Sequence, residues 1–127
     1  MPKTKVLFYQ ETNGHCPVVE WLRELRRMDA TAYAKCAAVI QRLEDDGFEL
    51  RRPTADMLRD GIRELRAKKG HVNYRILYFL HGKNVAILAH ALTKEDIVPA
   101  VDIDRAIARK AAFEAHPSKH TYREGPR

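Results

Sequence analysis

GIRELRAKKGHVNYRILYFL, residues 61 to 80, reads as a strand, a tight basic turn and a second strand. In Ile62 to Lys68 the side chains alternate. Arg63, Leu65 and Ala67 share one face, and Ile62, Glu64, Arg66 and Lys68 share the other. Lys69, Gly70 and His71 make the turn. Val72 to Leu80 is mostly apolar on both faces, with Tyr74, Ile76, Tyr78 and Leu80 opposite Asn73, Arg75, Leu77 and Phe79, which marks a central strand. Arg75 therefore stands on an otherwise buried surface. A guanidinium there must reach an acid, backbone carbonyls or the mouth of a site.

The charge of the chain collects around this stretch. Between Arg51 and Arg75 there are eight Lys and Arg against three Asp and Glu, so nearly all of the net +6 lies in one fifth of the sequence. With a pI near 9.5, the composition points to a polyanionic partner, nucleic acid or an acidic protein. The 127 residues suffice for one domain with a modest core. No apolar run reaches the roughly 18 residues of a membrane span, and MPKTKVLFYQET lacks a signal core, so a cytoplasmic protein without a membrane partner is expected. Cys16 and Cys36 fall in helical patterns and are expected to be buried free thiols. No paired Cys or His spacing resembles a zinc site, and neither a metal nor another cofactor is expected.

Outward from the central hairpin, Lys5 to Gln10 is β-rich and reads as a first strand. Pro17 opens a helix to about Arg27, and Asp29 caps a second whose stripe is Tyr33, Cys36, Ala37, Ile40 and Leu43, ending at Gly47. The short junction predicts an antiparallel helical hairpin. Phe48 to Asp60 reads as a loop. After a turn at His81 to Asn84, Val85 to Leu92 is a further antiparallel strand carrying His90, and Pro99 opens a last helix ending near Ala115. From His116 onward there is too little apolar surface to pack, and residues 116–127 are expected to be a mobile tail behind a single domain of residues 1–115. The order is β-α-α-β-β-β-α, an α+β architecture with a helical hairpin on a small antiparallel sheet.

The string Glu64-Leu65-Arg66, then Tyr74-Arg75-Ile76 with Tyr78, the Leu88-Ala89-His90 strand, Thr93-Lys94 and the Pro99 to Ile107 helix together resemble the RelE/ParE toxin superfamily, most closely its phage-derived, HigB-like branch. The resemblance follows the element order from Lys5 to Ala115, and its specific residues lie between about Gly61 and Ala106. It implies a RelE-like fold and a type II toxin that cleaves mRNA on translating ribosomes. The partners it implies are mRNA, the ribosome and a cognate antitoxin with a helix-turn-helix domain. Metal-free cleavage has the ribose 2′-OH attack the adjacent phosphate, and it needs a base, an acid and cations for the phosphorane. By motif, Arg66 and Arg75 would clamp the scissile phosphate and Lys94 would stand at the site's edge. Lys68, Lys69 and Arg63 would steer neighbouring phosphates, and His71, Tyr74 and His90 are the candidate proton carriers.

Other roles compete for the same residues. Arg66 and Arg75 could instead be bonded to Glu64, Asp102 or Asp104 as structural pairs, and Tyr74 and His90 could be core residues. The chain also lacks an early tyrosine in its last helix, the next tyrosine being Tyr122. The general acid is therefore unassigned. The alternatives in function are a ParE-like gyrase-inhibiting binding protein and a degenerate phage-derived RNA-binding protein.

Overall fold

A computed structural model describes residues 3–93 and 97–122. In chain order it comprises β1 (Lys5–Phe8), α1 (Pro17–Met28), α2 (Ala30–Asp46), a 3-10 turn (Gly47–Glu49), β2 (Ala55–Met57), β3 (Ile62–Lys69), β4 (Val72–His81), β5 (Val85–Thr93), α3 (Ala100–Ala115) and a second 3-10 turn (Pro117–His120). The strands form one sheet in the order β1-β5-β4-β3-β2. β4 is the middle strand, as its two apolar faces require.

The helical hairpin forms where local chemistry directs it. Pro17 occupies the first turn of α1, and the Glu20 carboxylate accepts the Cys16 N–H at 3.1 Å. Asp29 serves both helices: its N–H closes α1 on the Leu25 carbonyl at 2.7 Å, while its side chain accepts the Ala32 N–H of α2 at 3.1 Å. Gly47 ends α2 at a φ of 52°, and a Cβ there would lie 2.1 Å from Thr4 Oγ1. Both the backbone angle and the close approach call for glycine.

Two apolar layers sandwich the sheet. Val18, Leu43, Leu65, Ile76, Tyr78, Ala86 and Leu88 pack beneath the hairpin. Ile62, Leu77, Phe79, Ile87 and Ala89 pack against Ala106 and Phe113 of α3 on the opposite face. Alternation along β3 and β4 sorts the residues between these layers. Glu64, Arg66, Lys68 and Arg75 thus share the α3 face, whereas Arg63 and Tyr74 lie on the hairpin face. The buried thiols of Cys16 and Cys36 are free, and burial raises the pKa of both, that of Cys36 to about 11.

The α+β architecture stands, with three differences of detail. β1 runs parallel to β5, pairing Lys5 with Val85 through Phe8 with Leu88, so the sheet is mixed rather than antiparallel. The expected loop between Phe48 and Asp60 contains β2, which pairs Ala55, Asp56 and Met57 with Leu65, Glu64 and Arg63. The β2–β3 turn holds both Asp60 and Gly61 at positive φ, 53° and 81°. Lastly, the expected mobile tail is packed as far as Tyr122. His120 is buried, stacks on Tyr9 at 5.2 Å and bonds the Gln10 carbonyl at 2.8 Å, while Thr121 bridges Tyr9 and Tyr122 N–H reaches the Phe8 carbonyl at 2.8 Å.

Candidate functional site

The α3 face of the sheet carries a polar cluster supplied by three adjacent strands. Arg66 of β3 and Arg75 of β4 are direct cross-strand partners. Like charges placed opposite each other repel, so the pair requires an anion between them. Glu64 supplies it from the diagonal position, accepting Arg75 Nη1 on Oε2 at 2.8 Å and Arg66 Nη2 on Oε1. The three side chains differ in access: Glu64 is 2% exposed and Arg75 7%, against 34% for Arg66. Arg66 is the member of the cluster that solvent reaches.

His90 joins this face because of a backbone irregularity. β4 and β5 pair Leu77 with His90 but Tyr78 with Leu88, so Ala89 is an extra residue on β5. Ile87 and Ala89 already face α3, and strict alternation would turn His90 under the helical hairpin. The bulge turns it back toward α3, where Nε2 lies 2.7 Å from Asp102 Oδ1 and Nδ1 lies 3.0 Å from Arg109 Nη1. Arginine can only donate, so Nδ1 is the acceptor and Nε2 carries the proton. Burial lowers the His90 pKa, and although Asp102 opposes this, the net position is below the ordinary value. A neutral imidazole with both nitrogens engaged fits a structural histidine better than a free general base.

The remaining sequence candidates separate. Lys68 lies exposed on the Arg66 face, one alternation closer to the turn. Lys69 points to the other side, where its Nζ binds both Asp29 oxygens at 2.8 and 2.7 Å and lowers the Asp29 pKa. Tyr74 is buried against Trp21, with ring centroids 6.3 Å apart. Arg63 lies on the hairpin face beside the buried Tyr78 hydroxyl, whose pKa burial raises. His71 is exposed at the β3–β4 turn, roughly 10 Å or more of strand away from Arg66. Lys94 lies outside the described residues.

Arg109 had no place among the candidates, although it donates to His90, to the Ala89 carbonyl at 2.8 Å and to Glu11 at 3.2 Å. A signal for it existed. Asp102 and Arg109 are seven positions apart and flank Ala106, so they lie along the helical stripe that meets the sheet. Of the expected alternative partners, Glu64 takes Arg75, Asp102 goes to His90, and Asp104 pairs with Arg59.

A mixed sheet between a helical hairpin and a third helix, with paired strand arginines, places the molecule in the class of small RelE-like α+β proteins. The family model for "Phage derived protein Gp49-like (DUF891)" matches residues 23–111, and the chain belongs to that family, part of the toxin–antitoxin-related RelE/ParE-like superfamily. The match runs from α1 into α3 and includes every candidate site residue named above. No curated protein matches the chain. Among the described residues no helix is long and apolar enough to cross a membrane, and no group of His, Cys, Asp and Glu is arranged to hold a metal ion.

Proposed function

We propose that the protein is the toxin of a type II toxin–antitoxin pair, of the HigB-like branch, and that it acts on mRNA at the ribosome in the cytoplasm. The observation that supports this reading is Arg66: a guanidinium held on one side by buried Glu64, with Arg75 behind it and about a third of its surface open. A fork fixed in this way presents its free N–H groups to a phosphate without losing much entropy on binding. Arg66 and Lys68 are the phosphate contacts in this reading. Arg75 becomes a support for Glu64 rather than the second half of a clamp, because it is buried and engaged. Cleavage would follow attack by the 2′-OH on the phosphate: the O2′–P bond forms as the P–O5′ bond breaks, leaving a 2′,3′-cyclic phosphate. The O2′ proton passes to solvent and the 5′-oxygen takes one up from it, with Arg66 stabilising the charge on the phosphorane. The antitoxin, with its helix-turn-helix domain, would neutralise the protein.

A second reading has its own support. The engagement of both His90 nitrogens and the burial of Tyr74 remove two of the three proton carriers, which favours a ParE-like gyrase-inhibiting protein or an RNA-binding protein that does not cut. Ribosome-dependent cleavage of a defined message separates these readings. The nuclease reading expects cleavage by the wild type and about a hundredfold less by folded Arg66→Ala. Arrest of gyrase with intact mRNA would establish the rival.

A further inference from the structure

A second arginine cluster lies at the β2 edge of the sheet, in a groove of about 400 Å³ lined by Phe48, Arg51, Arg52, Asp56, Met57 and Arg63. Phe48 and Met57 are 43% and 56% exposed, unusual for side chains of their size. Arg52 Nε meets Asp56 Oδ2 at 3.0 Å. Among the described residues, Arg51 and Arg63 have no ion-pair partner. Of the three guanidiniums lining the groove, only Arg52 has a carboxylate partner among the described residues.

The groove is built rather than loose. Thr54 and Ala55 N–H groups both bond the Arg51 carbonyl, at 3.1 and 3.0 Å, and Arg42 of α2 donates to Thr54 Oγ1 at 2.8 Å. These bonds fix the turn that carries Arg51 and Arg52 against the second helix.

The free edge of β2 identifies what the groove does not take. Arg66 N–H bonds the Thr54 carbonyl and Leu58 N–H the Ile62 carbonyl, so the N–H groups of Ala55 and Met57 point outward. Both are occupied, Ala55 by the Arg51 carbonyl and Met57 by its neighbour Asp56 at 2.9 Å. An added peptide strand would find these outward donors already bonded. The exposed apolar surface is two side chains set among guanidiniums, too little for the three or four anchors of an amphipathic helix. One aromatic face beside several cations is instead the pattern that holds single-stranded nucleic acid, a base stacking while the phosphates meet the charges.

We infer that this groove binds single-stranded RNA, with a base against Phe48 and flanking phosphates on Arg51, Arg52 and Arg63. The inference rests on the reading of the chain as a protein that acts on RNA. It extends that reading to a second subsite beyond Arg66: Asp56 is the cross-strand partner of Glu64, and its pKa is lowered chiefly by its hydrogen bond from Arg52, with a smaller contribution from Arg66. RNA leaving Arg66 on the α3 face would pass around the short β2 edge to reach the groove, where Arg63 and Met57 lie on the hairpin side.

The test uses the full chain and a fluorescent 2′-O-methyl RNA of about 12 nucleotides, which has no free 2′-OH for cleavage. Replacing Arg51 and Arg52 together by alanine is expected to weaken binding about tenfold, and to lower the slope of log affinity against log salt by about 1.4. Phe48→Ala should weaken it about fivefold without changing that slope. An oligoglutamate peptide serves as the competing polyanion and should be insensitive to Phe48→Ala. Binding within twofold of wild type in all variants, no binding by wild type, or equal losses for RNA and oligoglutamate would each overturn the groove assignment. Cleavage assays on the same proteins keep the two readings apart. Cleavage that depends on Arg66 with unchanged groove variants refutes only the groove, and groove-dependent binding without cleavage refutes only the nuclease.

Discussion

The sheet carries two arginine clusters, one on its α3 face and one at its β2 edge, and they are held in opposite ways. On the α3 face, Arg75 is buried and Arg66 half-buried, with Glu64 between them. At the β2 edge, Arg52 pairs with the partly exposed Asp56, while Arg51 and Arg63 have no ion-pair partner among the described residues. Burial explains the difference. A guanidinium inside the sheet must be matched by a carboxylate, whereas one at the edge keeps its hydration and remains able to exchange water for phosphate. The same residue type is thus a structural element in one place and a ligand contact in the other, with Arg66 between the two conditions.

The comparison breaks most easily at Arg75. Removing Arg75 takes a buried charged hydrogen bond from Glu64 and leaves the partly exposed Arg66 to balance it, so Arg75→Ala should lower unfolding free energy by about 2 kcal/mol in urea titrations. Replacing Arg75 and Glu64 together by methionine and leucine should recover most of that loss. If Arg75→Ala is as stable as wild type, the buried cluster is not structural. Loss of activity in Arg75→Ala alone therefore says nothing about phosphate binding. Arg66→Ala is the cleaner probe, with an expected stability loss of about 1 kcal/mol because its side chain is partly solvated.

His90 tests the same face through pH. Its folded pKa is depressed, so the unfolded chain takes up a proton more readily than the folded one. Stability should be level above the unfolded value of about 6.5 and fall as pH drops through it toward the folded value. His90→Gln should flatten that part of the profile when urea midpoints are compared between about pH 8 and pH 5. An identical slope in wild type and variant would remove His90 from the account. The smallest effect is expected at the edge: Arg51→Ala should leave the urea midpoint unchanged, since its side chain is exposed and makes no ion pair among the described residues.

Much of this architecture is legible in the sequence because its signals are periodic. The alternation of Ile62 to Leu80 gives the hairpin and sorts Arg66 from Tyr74, and the stripes of α1 and α2 give the helical layer. What escapes is aperiodic or long-range. β2 is three residues long within an Arg- and Pro-rich segment, and only the Asp60-Gly61 turn announced it. The partner of β1 is decided by packing rather than by its own sequence, and a bulge sets the face of His90. Lys69 reads as a phosphate-steering turn lysine until the hairpin brings Asp29 within 2.7 Å.

The packed tail has a consequence for how the molecule is made. Gln10 and His120 are 110 positions apart, and their contact closes the edge of the first strand. β1 likewise waits for β5, so the first strand has no partner in the sheet until Val85 to Leu88 have been synthesised. Local helices can form early, but the native sheet is a late, cooperative event in the life of a nascent chain. The β3–β4 hairpin that carries Arg63, Arg66 and Arg75 is by contrast local in sequence, so the strands bearing the arginine clusters can pair before the β1 edge closes.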